Sequence, residues 1–480
     1  MKGSLLLLVT WPALLAVSGC AAYRPCPYHV EKAIGSCPDP GKGPLDRQPD
    51  YTIGFVEFDD QGWLWDRGQM ETVLSAVEQT AQKGGAVIVV YVHGWHHSAD
   101  DEDGDVAEFR RALSDLDKVL NDDPELSSLR AAAIKGKETH GRATVFGVYA
   151  GWRGGSLPGN LDFLTFSERK RAAHRVGHGD LSELLIRLNN IHATANTQRL
   201  YAGMVVVGHS FGGAAVFSAI SDRLQIDLTM AGAGTAKAGA PRQELCRENP
   251  AHCLNIVGDL VVLVNPAFES SLYNEIDYLA KSSSFDPCQT PVLLAVSSEA
   301  DWPNRRYFPI GQVLFTQEQG AFRNRAQKHE VHTSLGNFPA QVTHCLKADP
   351  GDDCSSIPQE RRQVGPGPHA VAAGRGEALA SSEHKDACVQ HLGAGGKFGE
   401  TFLYPVAETV KPENPVMLVR ATGELIPGHD LFSRDPKTKE LTTRKFVGFL
   451  VKFVHDLMYE KAAQSVRTAE ARRVAATSPP

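Results

Sequence analysis

Ser210 is the residue of this chain whose setting is best suited to chemistry. It lies in the run Val205-Val206-Val207-Gly208-His209-Ser210-Phe211-Gly212-Gly213, where an apolar β-branched stretch feeds into Gly-x-Ser-x-Gly. Helix-compatible residues follow through Ala214, Ala215, Val216 and Phe217. This is the strand–turn–helix context of a nucleophile elbow, in which a sharp turn presents the serine Oγ. Small residues at 208 and 212 let the strand and the helix approach closely enough for that turn. The five-residue pattern also arises by chance in a glycine-rich chain, so the surroundings must carry the argument. An alcohol becomes a nucleophile only with a base beside it. The base needs an orienting acid, and the oxyanion that forms needs donors.

Each partner is found just beyond an apolar run. Val87-Ile88-Val89-Val90-Tyr91-Val92 is followed by His93-Gly94-Trp95-His96-His97. The Trp95 N–H is the first choice of oxyanion donor and the Phe211 N–H the second, with His93, Gly94 and His209 expected to line the substrate pocket. A competing reading makes His93, His96 and His97 metal ligands, but no carboxylate or histidine at helical spacing completes such a site. Pro291-Val292-Leu293-Leu294-Ala295-Val296 leads to Asp301, the expected acid, with Glu299 and Asp259 as rivals. Asp301 could instead cap a helix before Trp302-Pro303. Pro415-Val416-Met417-Leu418-Val419-Arg420 leads to His429, the expected base, with His344 and then His332 as competitors. No metal or organic cofactor is required by this set.

The elements that must position these groups follow from hydrophobic periodicity. Apolar runs at 51–57, 86–92, 144–149, 203–208, 259–264, 291–297 and 415–420 are expected strands. Helical patterns alternate with them at 69–82, 105–120, 166–192, 212–224, 268–280 and 441–459. Such alternation predicts an α/β domain over 51–465, with a mostly parallel central sheet and helices on both faces. An open sheet of this kind places its site at the carboxyl ends of the strands. Stretches 229–256 and 346–400 lack periodicity and are expected loop insertions. The polar tail, 466–480, is expected to fray.

The N-terminus and the composition bound the rest. Lys2 precedes an apolar run from Leu5 to Val17, and the segment ends Val17-Ser18-Gly19-Cys20. This predicts a signal peptide over 1–19, too short for a membrane span. Residues 20–50, with several Pro and Gly, are expected to form a tether. The 49 basic and 56 acidic residues leave a net charge of −7 and no basic tract, so nucleic acid is an unexpected partner. Nine cysteines are present. If Cys20 is modified, eight remain, and an even count suggests disulfides. Near neighbours 26/37, 246/253 and 345/354 are plausible pairs, leaving 288 with 388. No CxxC pair suggests structural zinc.

The segment ending at Cys20 resembles a bacterial lipobox. That resemblance implies a lipid-modified (palmitate-bearing) Cys20 and a lipoprotein anchored to the membrane of the cell envelope. Ala21 after it implies sorting to the outer membrane, facing periplasm or exterior. The remainder resembles an α/β-hydrolase-fold serine hydrolase of a bacterial lipoprotein branch. The resemblance rests on Glu57-Phe58-Asp59-Asp60, His93-Gly94-Trp95, Gly208–Gly212, Ser298–Trp302 and Gly428-His429-Asp430. The chain order Ser210, Asp301, His429 is the order of that fold. The resemblance implies cleavage of small-molecule or lipid carboxylic esters through a Ser-His-Asp triad and an acyl-enzyme. An amidase or acyltransferase would use the same residues, and a non-catalytic envelope lipoprotein could use the same scaffold for binding. The stretch of more than 100 residues between Asp301 and the last strand departs from compact members.

Overall fold

The computed structural model describes residues 26–134, 141–155, 165–233, 254–286, 288–315, 321–350, 392–435, 437–438 and 440–477. Among them, eleven strands form one sheet: β1 (Leu45–Arg47), β2 (Tyr51–Glu57), β3 (Ala86–Val92), β4 (Thr144–Gly151), β5 (Ala202–His209), β6 (Leu260–Val264), β7 (Leu293–Ser298), β8 (His344–Lys347), β9 (Gly396–Phe398), β10 (Thr401–Pro405) and β11 (Val416–Ala421). Across the sheet they run β1-β2-β4-β3-β5-β6-β7-β11-β8-β10-β9. From β2 to β8 every neighbouring pair is parallel. At the edges β1 pairs antiparallel with β2, and β10 pairs antiparallel with β8 and β9. All seven apolar runs read as strands are strands of the parallel part.

The central strands are buried on both faces, which is why they read as unbroken apolar runs. Along β3, Ile88, Val90 and Val92 enter one core layer and Val87, Val89 and Tyr91 the other, the period-2 alternation of a strand. The first layer packs under α1 (Arg67–Lys83), α4 (Phe166–His178), α5 (Asp180–Thr197), α6 (Phe211–Ala233) and α7 (Asn274–Ser282). The second packs under α2 (Gly104–Asn121), α3 (Pro124–Ala133) and α10 (Arg444–Thr477), whose Phe446, Phe449, Phe453 and Leu457 form one apolar face. Two short helices, α8 (Phe308–Phe315) and α9 (Arg325–Val331), lie in the long connection after β7. The architecture is thus mixed α/β, a multistranded sheet flanked by helices.

Several expectations change. The single helix over 166–192 is two, parted at Gly179. A Cβ at that position would lie 2.3 Å from the Gly62 carbonyl oxygen, so the loop after β2 wedges into the joint. The tail expected to fray continues α10 to Thr477, in keeping with its Ala, Arg and Glu content. Part of the stretch expected as an insertion at 346–400 contributes β9 and leads into β10, while 351–391 lie outside the described residues. Residues 234–253, most of the other expected insertion, also lie outside them.

The N-terminal reading needs the largest correction. Residues 26–50 are not an open tether. The Tyr28 and His29 N–H groups donate to the buried Glu57 carboxylate at 2.9 and 2.8 Å. The His29 ring stacks on Phe55 at 3.6 Å, and β1 extends the sheet. Cys26 and Cys37 are joined as a disulfide, the expected pair. Their sulfurs are therefore engaged with each other and carry no acyl group. Among the described residues no helix is long and apolar enough to cross a membrane. The disulfide argues against the expected lipid-anchored lipoprotein, its palmitate, its membrane partnership and its outer-membrane location. Residues 1–19 and Cys20 lie outside the described residues. Cys288 and Cys345 are also disulfide-bonded, whereas 246, 253, 354 and 388 fall outside the described set.

Candidate active site

Ser210 occupies the single-residue joint between β5 and α6, with φ of +53°. A non-glycine residue in this region stores of order 1–3 kcal/mol and persists only where its surroundings fix it. Here the Ser210 N–H donates to the Val264 carbonyl at 3.0 Å, and its own carbonyl accepts from the N–H groups of Ala267 and Ala214 at 3.1 and 3.2 Å. The flanking glycines are needed for space. A Cβ at Gly208 would lie 2.8 Å from the Gly212 oxygen, and one at Gly212 would lie 2.1 Å from the Val92 oxygen. Strand, turn and helix are thus pressed together around Ser210.

His429 stands in the loop between β11 and α10. Its Nε2 accepts from the Ser210 hydroxyl at 2.6 Å, and its Nδ1–H donates to Asp301 Oδ1 at 2.8 Å. Asp301 is fully buried beyond the end of β7. The competing helix-cap reading holds alongside: Oδ1 also accepts the Asn304 N–H at 3.0 Å. Asn304 was not singled out from sequence, yet its side-chain amide donates to Asp301 Oδ2 at 2.8 Å. Both carboxylate oxygens are therefore fixed. Burial disfavours the imidazolium of His429, but the charge of Asp301 and its hydrogen bond outweigh burial and raise the pKa above the ordinary histidine value. Ser210 is 3% exposed and the His429 side chain 17%, so the imidazole forms the open margin of the site.

The loop after β3 closes the other side. A Cβ at Gly94 would lie 3.0 Å from the Ser210 Cβ and 2.9 Å from His209 Nδ1, so only glycine fits between them. Trp95, the next residue, packs its ring 5.8 Å from Phe211 and 5.5 Å from Phe166, giving the serine an aromatic flank. Phe211 opens α6, where first-turn N–H groups lack an acceptor within the helix. His93, expected to line a pocket, is instead fully buried. Its Nδ1–H donates to the Gly94 carbonyl at 2.9 Å and its Nε2 accepts the Trp152 N–H at 3.0 Å. Desolvation lowers its pKa to about 4, so it stays neutral and braces the loop. His209 is likewise buried rather than lining a pocket, and its Nε2–H donates to the His429 carbonyl at 2.9 Å.

The rivals are elsewhere. His344 is buried at the start of β8, with its nitrogens on Thr343 Oγ1 and the Gly393 carbonyl, each at 2.9 Å. Asp259 lies before β6, where its carboxylate accepts the Met204 N–H at 2.8 Å and faces Lys461 and His192. His332 caps α9. Of the histidines after β3, His97 alone joins a group close enough to share an ion: one of its ring nitrogens and oxygens of Asp103 and Asp105 lie within 4.8 Å of one another among the described residues. Those four oxygens already have partners. Asp103 takes His97 Nδ1 and the Asp105 and Ser98 N–H groups. Asp105 takes the Tyr91 hydroxyl at 2.6 Å and faces His97 Nε2 at 3.5 Å. The cluster is an ion pair with its donors satisfied. No family model, no curated protein and no solved structure matches this chain.

Proposed function

We propose that this protein is a serine hydrolase of the α/β-hydrolase fold that cleaves carboxylic esters. The observation that carries the reading is the unbroken hydrogen-bond chain from the Ser210 hydroxyl through His429 to Asp301. The positive φ of Ser210 between β5 and α6 supports it, as does the placing of all three residues beyond the carboxyl ends of β5, β7 and β11. His429 takes the hydroxyl proton as Oγ bonds to the ester carbonyl carbon. The carbonyl π electrons move to oxygen, where the Trp95 and Phe211 amides receive the charge. Each such donor is worth about 3–4 kcal/mol in the transition state. The tetrahedral adduct collapses, the C–O bond to the alcohol breaks, and His429 returns its proton to the leaving oxygen. Water, deprotonated by the same imidazole, then releases the acid and restores Ser210.

Amide, thioester or acyl-transfer chemistry would use the same residues, so turnover of matched ester and amide pairs decides among them. The decisive experiment for the triad is a fluorophosphonate probe applied to wild type, Ser210→Ala and His429→Ala. The expected result is labelling of wild type, none of Ser210→Ala and little of His429→Ala. Strong labelling of Ser210→Ala would overturn the assignment. An unlabelled wild type that also turns over no p-nitrophenyl ester would make the scaffold a binding protein.

A further inference from the structure

Asn265, the residue after β6, is fully buried and holds φ of +45°. Asparagine is one of the few non-glycine residues that adopt this region readily. Every polar group of Asn265 is used. Its N–H donates to the Val296 carbonyl at 2.7 Å, and its Oδ1 accepts the Ser298 N–H at 2.8 Å, tying it to the end of β7. Its Nδ2 donates to the His429 carbonyl at 2.7 Å and, more weakly, to the Gly428 carbonyl at 3.3 Å. Its own carbonyl accepts Asn304 Nδ2 at 2.8 Å, the amide that also holds Asp301 Oδ2.

From this geometry we infer that Asn265 is a positioning residue for the Ser210–His429–Asp301 relay: its side-chain amide holds the base loop against the end of β7, and its backbone carbonyl reaches the acid turn through Asn304. The inference rests on the serine-hydrolase reading above. His429 is on a connection after β11 and Asp301 on a turn after β7, so the imidazole must be held between two separate segments. Asn265 touches the backbone of the first directly and the carboxylate of the second through Asn304. The acceptor end locks the amide against β7, which fixes the donor end toward His429. Aspartate at this position would keep the shape but lose the donor, and would set a carboxylate against the His429 carbonyl. Glycine would keep the backbone and lose only the clamp. His209 supplies a second donor to the same carbonyl and the Ser298 hydroxyl donates to the Ile426 carbonyl at 2.5 Å, so the base loop stays folded without Asn265 but is held less tightly beside Asp301.

The test is the pH profile of p-nitrophenyl ester hydrolysis by the whole chain carrying Asn265→Gly, with circular dichroism and thermal melting as folding controls. Loosening the His429–Asp301 contact weakens what raises the His429 pKa. The expected result is a kcat lowered by about ten- to a hundredfold with KM nearly unchanged, and an acid limb displaced to lower pH. A role in stability alone would lower the melting temperature and leave both the limb and kcat in place, which overturns the inference. Should Asn265→Gly fail to fold, Asn304→Ala severs the other arm. It must show the same displacement of the limb, and a wild-type limb in that variant overturns the inference. Fluorophosphonate labelling of wild type Ser210 is read in parallel: its absence counts against the hydrolase reading, whereas normal labelling with an unmoved limb counts against Asn265 alone.

Discussion

Two histidine–carboxylate pairs lie at the same edge of the sheet, and they differ in what faces the second ring nitrogen. His429 gives Nδ1–H to one buried aspartate and turns Nε2 to a hydroxyl. His97 gives Nδ1–H to Asp103 and turns Nε2 to Asp105. Burial opposes charge on His97, but the two carboxylates prevail and raise its pKa to about 9, so the ring is a fixed cation at neutral pH. A ring held between two acids has no lone pair to offer, whereas a ring between an acid and an alcohol can take a proton and return it. An imidazole beside an aspartate is thus not a relay by itself; the third partner makes it one.

The largest effect tests the side that carries a hydroxyl. Replacing Ser210 by alanine removes the proposed nucleophile, and ester turnover is expected to fall by about 10⁶-fold, the scale of losing such a serine elsewhere. Asp301→Asn should lower kcat by roughly 10⁴-fold by favouring the wrong tautomer of His429. Thermal melting of each variant separates lost chemistry from lost folding. Activity that survives either change would leave the His429 pair no more a relay than the His97 pair.

A smaller effect concerns pH. As the proposed base, His429 can act only when neutral, and its pKa is raised in the folded protein. Wild-type kcat/KM should therefore rise with pH through a limb above about 6.5, the unperturbed value. His97 opposes the charge on His429, so His97→Gln should move that limb slightly upward, opposite in sense to the loss of Asn265.

The smallest expected effect is on stability. A pKa raised to about 9 means that the His97 cation stabilises the fold fully below about 6.5 and that this is lost as pH rises through 9. His97→Gln should melt at lower temperature than wild type at pH 6, with the gap closing above pH 9. A gap that is independent of pH would show that His97 contributes shape and not charge.

Much of this was legible in the chain. Seven of the eight strands in the parallel part announced themselves because strands buried on both faces must be apolar throughout. Ser210 was readable because its turn demands glycines on both sides, and Asp301 and His429 because each follows such a strand. The short strands β1, β8, β9 and β10 were not legible: three to five residues with mixed exposure carry no period. The N-terminal segment was misread because its composition is that of a linker, and only the burial of Glu57 shows why it folds down. His93 and His209 were read by position as pocket residues, but whether a loop residue faces the ligand or the core depends on the neighbouring strands.

The sequence by itself determined seven strands of the parallel part, the serine turn and a short list of candidate acids and bases, since each is written in local period or in glycine spacing. Only the tertiary structure decided that His429 rather than His344 reaches Ser210, that Asn304 meets Asp301 and Asn265 the His429 carbonyl, and that His97 lies between two carboxylates. The reason is physical. Those outcomes depend on groups tens to hundreds of residues apart meeting within about 3 Å, a hydrogen-bond length, and no local pattern records which distant carbonyl an amide will find.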